Sequence, residues 1–294
     1  MTISAVGSRN LDKAKSFREG IKGFGSYEEL VNSDVDAIYV ATPHQAHCEN
    51  TILALKAGKP VLCEKPFAVN AIQAKAMANA AKENNLLLME AMWTRYLPHI
   101  QKVRELMHEL GEIHNVQADH GQSLLHINRL TDPNYAGGAL LDLGIYPISF
   151  AYFVFGKPEK VTAKGVVENG VDLQTSAILE YSGGRQAVIN TVMNSKTPTT
   201  ASINGTKARL ELATSFYRPT DMRIVYNDGR IVEFKNEYRG HGLREQAIYF
   251  EKMLITGKKD SELLPISETV SIMETMDEIR TQIGLKYPFE KLSN

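Results

Sequence analysis

Two cysteines, Cys48 and Cys63, are all that the 294 residues contain. That excludes a disulfide-stapled framework and fits a reducing cytoplasm. An excess of charge of one sign is also missing. Lys and Arg number 33 against 34 Asp and Glu, a formal net charge of −1, so no electrostatic footprint argues for nucleic acid or an anionic membrane. No apolar run reads as long enough to span a bilayer, and the first residues lack the basic and apolar regions of a signal peptide. Internal repeats and low-complexity tracts are absent. One further absence is specific to function. No strand-like segment is followed by G-x-G-x-x-G, the glycine turn on which nucleotide-binding βαβ units seat a pyrophosphate. Yet the chain opens MTISAVGSRNLDKAK, which reads as strand, tight turn and helix.

What is present is ordinary soluble globular material, 43% hydrophobic and 23% charged, and long enough for two domains with a substantial core. Over residues 1–92 strands and helices alternate. Strands are expected at Ile3–Val6, Asp36–Val40, Pro60–Cys63 and Leu86–Met89. Helices are expected at Leu11–Glu19 with Asn10 as N-cap, at Tyr27–Val31, at His47–Ala57 closing on Gly58, and at Asn70–Glu83. Short apolar runs between helices argue a parallel, Rossmann-type sheet with helices on both faces. Residues 93–294 read differently. Helices at Pro98–Leu110 and Gly138–Phe155 flank a strand at Val116–His120. Lys160–Phe234 is mostly strands separated by turn signals, an antiparallel sheet of about six strands. Helices at Leu243–Ile255 and Ser267–Ile283 finish the chain. The fold class is therefore α/β, a nucleotide-type domain followed by an α+β domain.

Four stretches carry chemistry. In VATPHQAHCEN a buried strand ends before Thr42-Pro43-His44, where open parallel sheets bind ligands and a helix start favours anions. His44 and His47 alone are a weak metal set; a polar pair lining a cofactor cleft is the stronger reading. In VLCEKPFAVN the next strand ends in Glu64-Lys65-Pro66. There desolvation is expected to lower the Lys65 pKa and fit it for proton transfer, against the plainer reading of a surface lysine in a loop. In YAGGALLDLGIYPISF, Asp142 and Tyr146 lie four apart on one helix face, suited to polarising a hydroxyl or carbonyl. The plainer reading is a dipole-favoured acid and a core tyrosine. In LLMEAMWTRYLP the one tryptophan, Trp93, precedes Arg95 by two residues. These are either a substrate-pocket wall with a guanidinium donor or a packed hinge.

Taken in order, TPHQAH, CEKPFAVN, MEAMWTRYLP and GGALLDLGIYP resemble the Gfo/Idh/MocA oxidoreductases, as does the SINGTKARLEL hairpin at Ser202–Leu212. The Trp-Thr-Arg segment and Tyr146, where most members carry histidine, resemble the branch of trans-dihydrodiol and NADP-dependent D-xylose dehydrogenases. The resemblance implies Lys65 as the catalytic lysine near the nicotinamide, Tyr146 as acid/base and Asp142 as the acid that orients substrate. It implies Trp93 and Arg95 in the pocket. Thr42, Pro43, His44, His47 and Glu64 would lie around the cofactor. Ser8 and Arg9 would hold a ribose 2′-phosphate, so NADP is expected, with NAD as the alternative; an arginine at this point accommodates the extra phosphate. The expected substrate is a sugar or cyclic diol. The expected partner is a second copy of the chain, pairing through the open sheet, with no nucleic acid, membrane or metal.

The resemblance also implies that Ile3–Val6 is the second strand of its sheet. Family members place a strand, the glycine fingerprint and a helix before it, roughly 30 residues judged from the size of a βαβ unit. In the 3-2-1-4-5-6 order that first strand is central. Three readings stay open: a start at an internal Met, a truncated relic, or a fold that closes up or borrows a strand. The oxidoreductase reading accordingly competes with a non-catalytic fragment serving as a dimerisation or ligand-binding module. A third reading is glycoside cleavage through transient oxidation.

Overall fold

Five short strands and four helices form the first part of the computed structural model, which describes residues 1–290. The strands are β1 (Ala5–Gly7), β2 (Lys22–Phe24), β3 (Ile38–Val40), β4 (Val61–Glu64) and β5 (Leu88–Ala91). Between them run α1 (Leu11–Lys15), α2 (Tyr27–Val31), α3 (His47–Lys56) and α4 (Ala71–Glu83). Side-chain caps start three of the helices: Asn10 accepts from the Lys13 amide, Ser26 from Glu29 and Asn70 from Gln73. All strand pairings here are parallel, but they do not make one sheet. β1 pairs with β2, and β3, β4 and β5 form a separate three-stranded sheet. β1 and β3 are thus both edge strands, the interruption expected where a central strand would stand.

Two details of this part differ from the sequence reading. The first helix stops at Lys15, where the Ser16 amide closes back on Asp12 and Ala14, instead of running to Glu19. A strand not anticipated follows, because KGF carries no β-branched residue to announce it. Its glycine is what lets it pass the helix: a Cβ on Gly23 would come within 2.7 Å of the Lys15 nitrogen.

The second part begins with a helical turn at Trp93–Tyr96 and α5 (Pro98–Leu106), started by proline at its first position. β6 (Ile113–Gly121) and a short helix α6 (Asn128–Thr131) lead to a wide π-type turn, Leu140–Gly144, that runs into α7 (Ile145–Phe155). Then come β7 (Lys160–Glu168), β8 (Val171–Glu180), β9 (Gln186–Val192), β10 (Ala201–Gly205), β11 (Ala208–Leu212), β12 (Met222–Tyr226) and β13 (Ile231–Phe234). The helices α8 (Arg244–Ile255) and α9 (Ile266–Ile283) follow. The sheet has eight strands, ordered β13-β12-β11-β10-β6-β9-β8-β7. It is mixed, not purely antiparallel. β6 lies between β9 and β10 and runs parallel to β9, from Asn115 opposite Gln186 to Gly121 opposite Val192.

The apolar side of this sheet packs on α7 and α9. Nine of the eleven residues of α7 are buried, and each large apolar side chain taken from water there contributes about 1.5–3 kcal/mol. The stretch Pro133–Phe155 is in fact apolar and long enough to cross a membrane by composition, contrary to the sequence reading. Yet 89% of its most apolar window is buried inside the protein, as in a core helix. α9 reaches both parts. Asp277 on it accepts from the Ala71 amide at the start of α4 (2.8 Å), and Thr269 donates to Glu90 on β5 (2.9 Å). One apolar core runs through the molecule from Val31 to Tyr287.

Candidate active site

The carboxyl ends of β3, β4 and β5 and the start of α7 converge on one cluster. Lys65 leaves the end of β4. Its Nζ donates to the Asp142 backbone oxygen at 2.9 Å and to Asp142 Oδ1 at 3.3 Å, and stands 5.0 Å above the centre of the Tyr146 ring. Asp142 sits in the wide turn, a local winding common at functional sites. That turn is fixed from below by the sheet. The Leu140 amide donates to Asp172 Oδ2 on β8 (2.9 Å), which also accepts from Thr175 Oγ1 (2.8 Å). Gly138 precedes the turn with φ +116°, and a Cβ there would meet Asp172 Oδ1 at 2.2 Å. Trp93, directly after β5, donates its indole N–H to the Tyr146 hydroxyl at 2.9 Å, with the two rings perpendicular.

The charges follow from these contacts. Burial alone would lower the Lys65 pKa, as the sequence reading expected. The Asp142 carboxylate, then Tyr146 and Glu64, outweigh it and hold the ammonium above its ordinary value. For Asp142 burial pushes up, but Lys65, His44 and Arg129 hold the carboxyl below its usual range. Burial raises the Tyr146 phenol, while Lys65 and the Trp93 hydrogen bond pull against it. The lysine thus acts on the phenol in the expected direction, though burial dominates.

The remaining residues divide. His44, buried, brings Nε2 to 3.9 Å from Asp142 Oδ1 and Nδ1 to 3.4 Å from the Ala136 oxygen, and burial holds it neutral. His47 has both ring nitrogens on backbone carbonyls, Pro66 at 2.8 Å and Thr42 at 2.7 Å. Its ring therefore ties the β3 and β4 loops together. Thr42 also accepts from Asn50 through its hydroxyl, and Pro43 is exposed at the loop crest. Glu64 accepts from the Lys65 amide and from the Tyr39 hydroxyl. Arg95 is not a pocket donor. It is 3% exposed, with its guanidinium spent on Ser149, the Leu263 oxygen and Glu268 (2.8 Å). Arg95 is packed among internal partners, whereas Trp93 stands against Tyr146 in the Lys65 cluster. Ser8 and exposed Arg9 stand at the end of β1, and no hydrogen bond or ion pair among the described residues joins them to the Lys65 cluster.

Four residues join the cluster without having been singled out in the sequence. Arg129 on α6, half-exposed, approaches Asp142 Oδ1 at 3.6 Å. His120, at the end of β6, stacks on Tyr217 with ring centres 4.3 Å apart and meets the Tyr146 ring at 5.2 Å. Gln122 donates to His120 Nε2 (2.8 Å) and to the Tyr217 hydroxyl (3.3 Å). Only the pairing of a histidine with a strand's last position could have marked His120.

A phenol held by a donor, with an ammonium above its ring and a carboxylate behind that ammonium, can exchange a proton with a substrate hydroxyl. A glycine-rich turn after β1 or β3 is not found among the described residues, the two strands being followed by Ser8-Arg9-Asn10 and by Ala41-Thr42-Pro43.

Residues 1–92 match the oxidoreductase family with an NAD-binding Rossmann fold, and residues 100–211 match the GFO/IDH/MocA C-terminal domain. Trans-1,2-dihydrobenzene-1,2-diol dehydrogenase from Oryctolagus cuniculus is 38% identical, over 98% of this chain and 92% of that protein. The Bos taurus protein of the same name is 36% identical, over 98% and 91%. Among solved structures, a 3-ketoreductase from Actinomadura kijaniata, in complex with NADP and TDP-benzene, superposes with a TM-score of 0.86 at 28% identity, over 96% of this chain and 89% of that one. An aldose-aldose oxidoreductase from Caulobacter crescentus shares the fold, with a TM-score of 0.84 at 22% identity over the same shares. The chain belongs to the Gfo/Idh/MocA family of oxidoreductases, with their nicotinamide-binding Rossmann-type domain and large mixed sheet.

Proposed function

We propose that this chain is an NADP-preferring dehydrogenase acting on a secondary hydroxyl of a sugar or cyclic diol. The observation that carries it is the Lys65–Tyr146–Trp93 arrangement, an ammonium over the ring of a phenol whose oxygen accepts from an indole. The bound nicotinamide supplies the hydride acceptor. Tyr146 takes the proton of the substrate hydroxyl. To do so it must first be a phenolate, which Lys65 and Trp93 stabilise, and Asp142 holds Lys65 in position and charged. In the reverse direction Tyr146 protonates the alkoxide formed from a ketone. Thr42, Pro43, His44 and Glu64 border the cofactor, and Arg9 with Ser8 takes the 2′-phosphate. Support comes from the diol dehydrogenase relatives and the NADP-bound ketoreductase neighbour.

Two features of the sheets bear on assembly and on the competing reading. Ile178 on β8 faces Val188 on β9, both about 40% exposed on the open side of the eight-stranded sheet, and a second copy of the chain is proposed to cover them. Light scattering on the purified protein reads the mass directly, and a monomer at micromolar concentration ends that part of the proposal. The separation of β1–β2 from β3–β5 favours the competing reading of a non-catalytic module. A fluorescence titration of NADPH into the purified chain separates the two. Saturable binding in the micromolar range is expected; a folded chain that binds no NADPH refutes the dehydrogenase reading for the chain as written.

A further inference from the structure

The contact between Lys65 and Asp142 closes one side of a ring, and the opposite side is a short stretch near the end of the chain. After α9 the backbone turns at Gly284 and continues through residues 285–290. There the Tyr287 hydroxyl donates to the Gly137 oxygen at 2.7 Å, and Glu290 Oε1 accepts from the Asn70 side-chain amide at 2.9 Å. Asn70 stands five residues after Lys65, and Gly137 stands five residues before Asp142. Three short segments, 65–70, 137–142 and 287–290, are therefore joined end to end by side-chain bonds, the last of them from Lys65 Nζ to Asp142.

Packing alone asks for none of this. Tyr287 is 2% exposed, and a phenylalanine would fill its place; its buried hydroxyl is satisfied by the Gly137 oxygen. Gly137 and Gly138 have no side chain to locate them, and none fits. A Cβ would stand 2.4 Å from the Leu130 oxygen at the first and 2.2 Å from Asp172 Oδ1 at the second. The entry to the wide turn is thus placed by backbone partners: Tyr287 on the Gly137 oxygen, Thr191 on the Ala139 oxygen and Asp172 on the Leu140 amide. Of these, only Tyr287 belongs to a segment that also bonds to residues 1–92 among the described residues. The segment is itself held in shape. Glu290 Oε2 accepts from the Tyr287 amide (3.1 Å), and both Glu290 oxygens accept from the Arg280 guanidinium on α9 (2.8 and 2.9 Å). Arg280 also donates to Asp277 (2.9 Å), which accepts from the Ala71 amide at the start of α4.

We propose that Tyr287 and Glu290 are positioning residues, a strap that sets where Lys65 stands against Asp142 and the Tyr146 ring. The role rests on the proposed dehydrogenase reading, because it takes that cluster as the reacting one, and it deepens the reading by naming what holds the two halves of the cluster together. Neither residue touches the reacting atoms. Tyr287 acts through the turn that carries Asp142, and Glu290 through the loop that carries Lys65. A misplacement of about 1 Å from a change far from the chemistry costs about a hundredfold in rate, so a hydrogen bond lost at the far end of either segment is felt at the site.

Trp93, the chain's one tryptophan, reads the ring, since its indole comes from the first part, donates across to Tyr146 at 2.9 Å and is 7% exposed. Its emission is measured in native buffer without cofactor or substrate, where a loss of stability alone does not move it. Tyr287→Phe removes the hydroxyl and keeps the ring. Asn70→Ser keeps a capping oxygen for α4 and removes the donor to Glu290. Each is expected to shift the emission to the red as water reaches the indole. The double variant is expected to shift no further than the larger single, because a strap released at one end no longer ties. Tyr226→Phe, which removes a hydroxyl from β12 outside the ring, is expected to leave the emission unchanged. With NADP and D-xylose or trans-cyclohexane-1,2-diol, kcat is expected to fall about tenfold or more in each single variant, while the NADPH dissociation constant stays within about threefold. Asn70→Ser serves if Tyr287→Phe does not fold. Unmoved emission in the folded single variants, shifts that add in the double variant, or an unchanged kcat where the wild type turns over each overturn the proposal. If the wild type binds no NADPH, the dehydrogenase reading falls and emission alone decides the strap; emission also decides it if neither probe is oxidised.

Discussion

The two sheet systems of this molecule are built to different standards. In the first part no strand exceeds four residues, and the parallel strands divide into a pair and a triplet, leaving β1 and β3 as edges. Ile3, Phe17 and Tyr39 are each more than half exposed there. In the second part β6, β7 and β8 run nine or ten residues, with one register shift between β7 and β8 at Val166/Val167 and one between β6 and β10 at Asn204/Gly205, and β8 alternates buried Thr175, Ala177 and Leu179 with exposed neighbours. The comparison teaches where the site's rigidity comes from. Lys65 comes from the fragmentary side, but what it touches, Asp142 and Tyr146, is anchored by Asp172 and Thr191 in the continuous sheet.

The sharpest way to break that picture is Lys65→Met, which removes the one charged contact that crosses from β4 to the wide turn. Turnover is expected to fall about 10²–10⁴-fold, the range of positioned acid–base groups, while NADPH still binds. A variant that keeps its rate would take Lys65 out of the mechanism. The next effect lies in the backbone. In native-state hydrogen exchange the amides of β1 and β2 are expected to exchange at least about a hundredfold faster than those of β6 and β9, through local opening of a pair with few covered bonds. Equal protection would mean that the separate pair is as well supported as the eight-stranded sheet.

Legibility in the sequence follows the same division, by range of contact more than by region. VLC followed by EKP marks the end of β4 because a buried strand must stop where polar residues begin, and Asp142 and Tyr146 share a face because a helix repeats. Both facts are local. The insertion of β6 between β9 and β10 is not, since strands about seventy residues apart in sequence meet there and turn signals report only neighbouring pairs. His120, Gln122 and Tyr217 escaped for that reason: two lie at a strand end and one in a loop nearly a hundred residues later. Arg95 misled in the opposite way. A lone guanidinium after a strand looks like a ligand donor, and only the return of α9, with Glu268 upon it, shows that its partners are internal.

Glu90 gives the finest test of how the two parts are joined. It is buried at the end of β5 and accepts from Thr269 on α9, while its Oε1 has no partner among the described residues. Burial raises its pKa from 4.5 to about 7, with Thr269, Phe67 and Arg95 opposing the rise. A carboxyl whose folded value lies above its unfolded value contributes stability below about pH 4.5 and loses it as pH rises through 7, because the unfolded chain releases the proton first. Glu90→Gln cannot ionise. The stability difference, variant minus wild type, is therefore expected to move in the variant's favour by about 1–3 kcal/mol between pH 5 and pH 8. Denaturant melts at the two pH values measure it without reference to either protein's absolute stability. A difference that does not change with pH would mean that Glu90 stays ionised in the fold, with the Arg95 charge prevailing over burial at the junction.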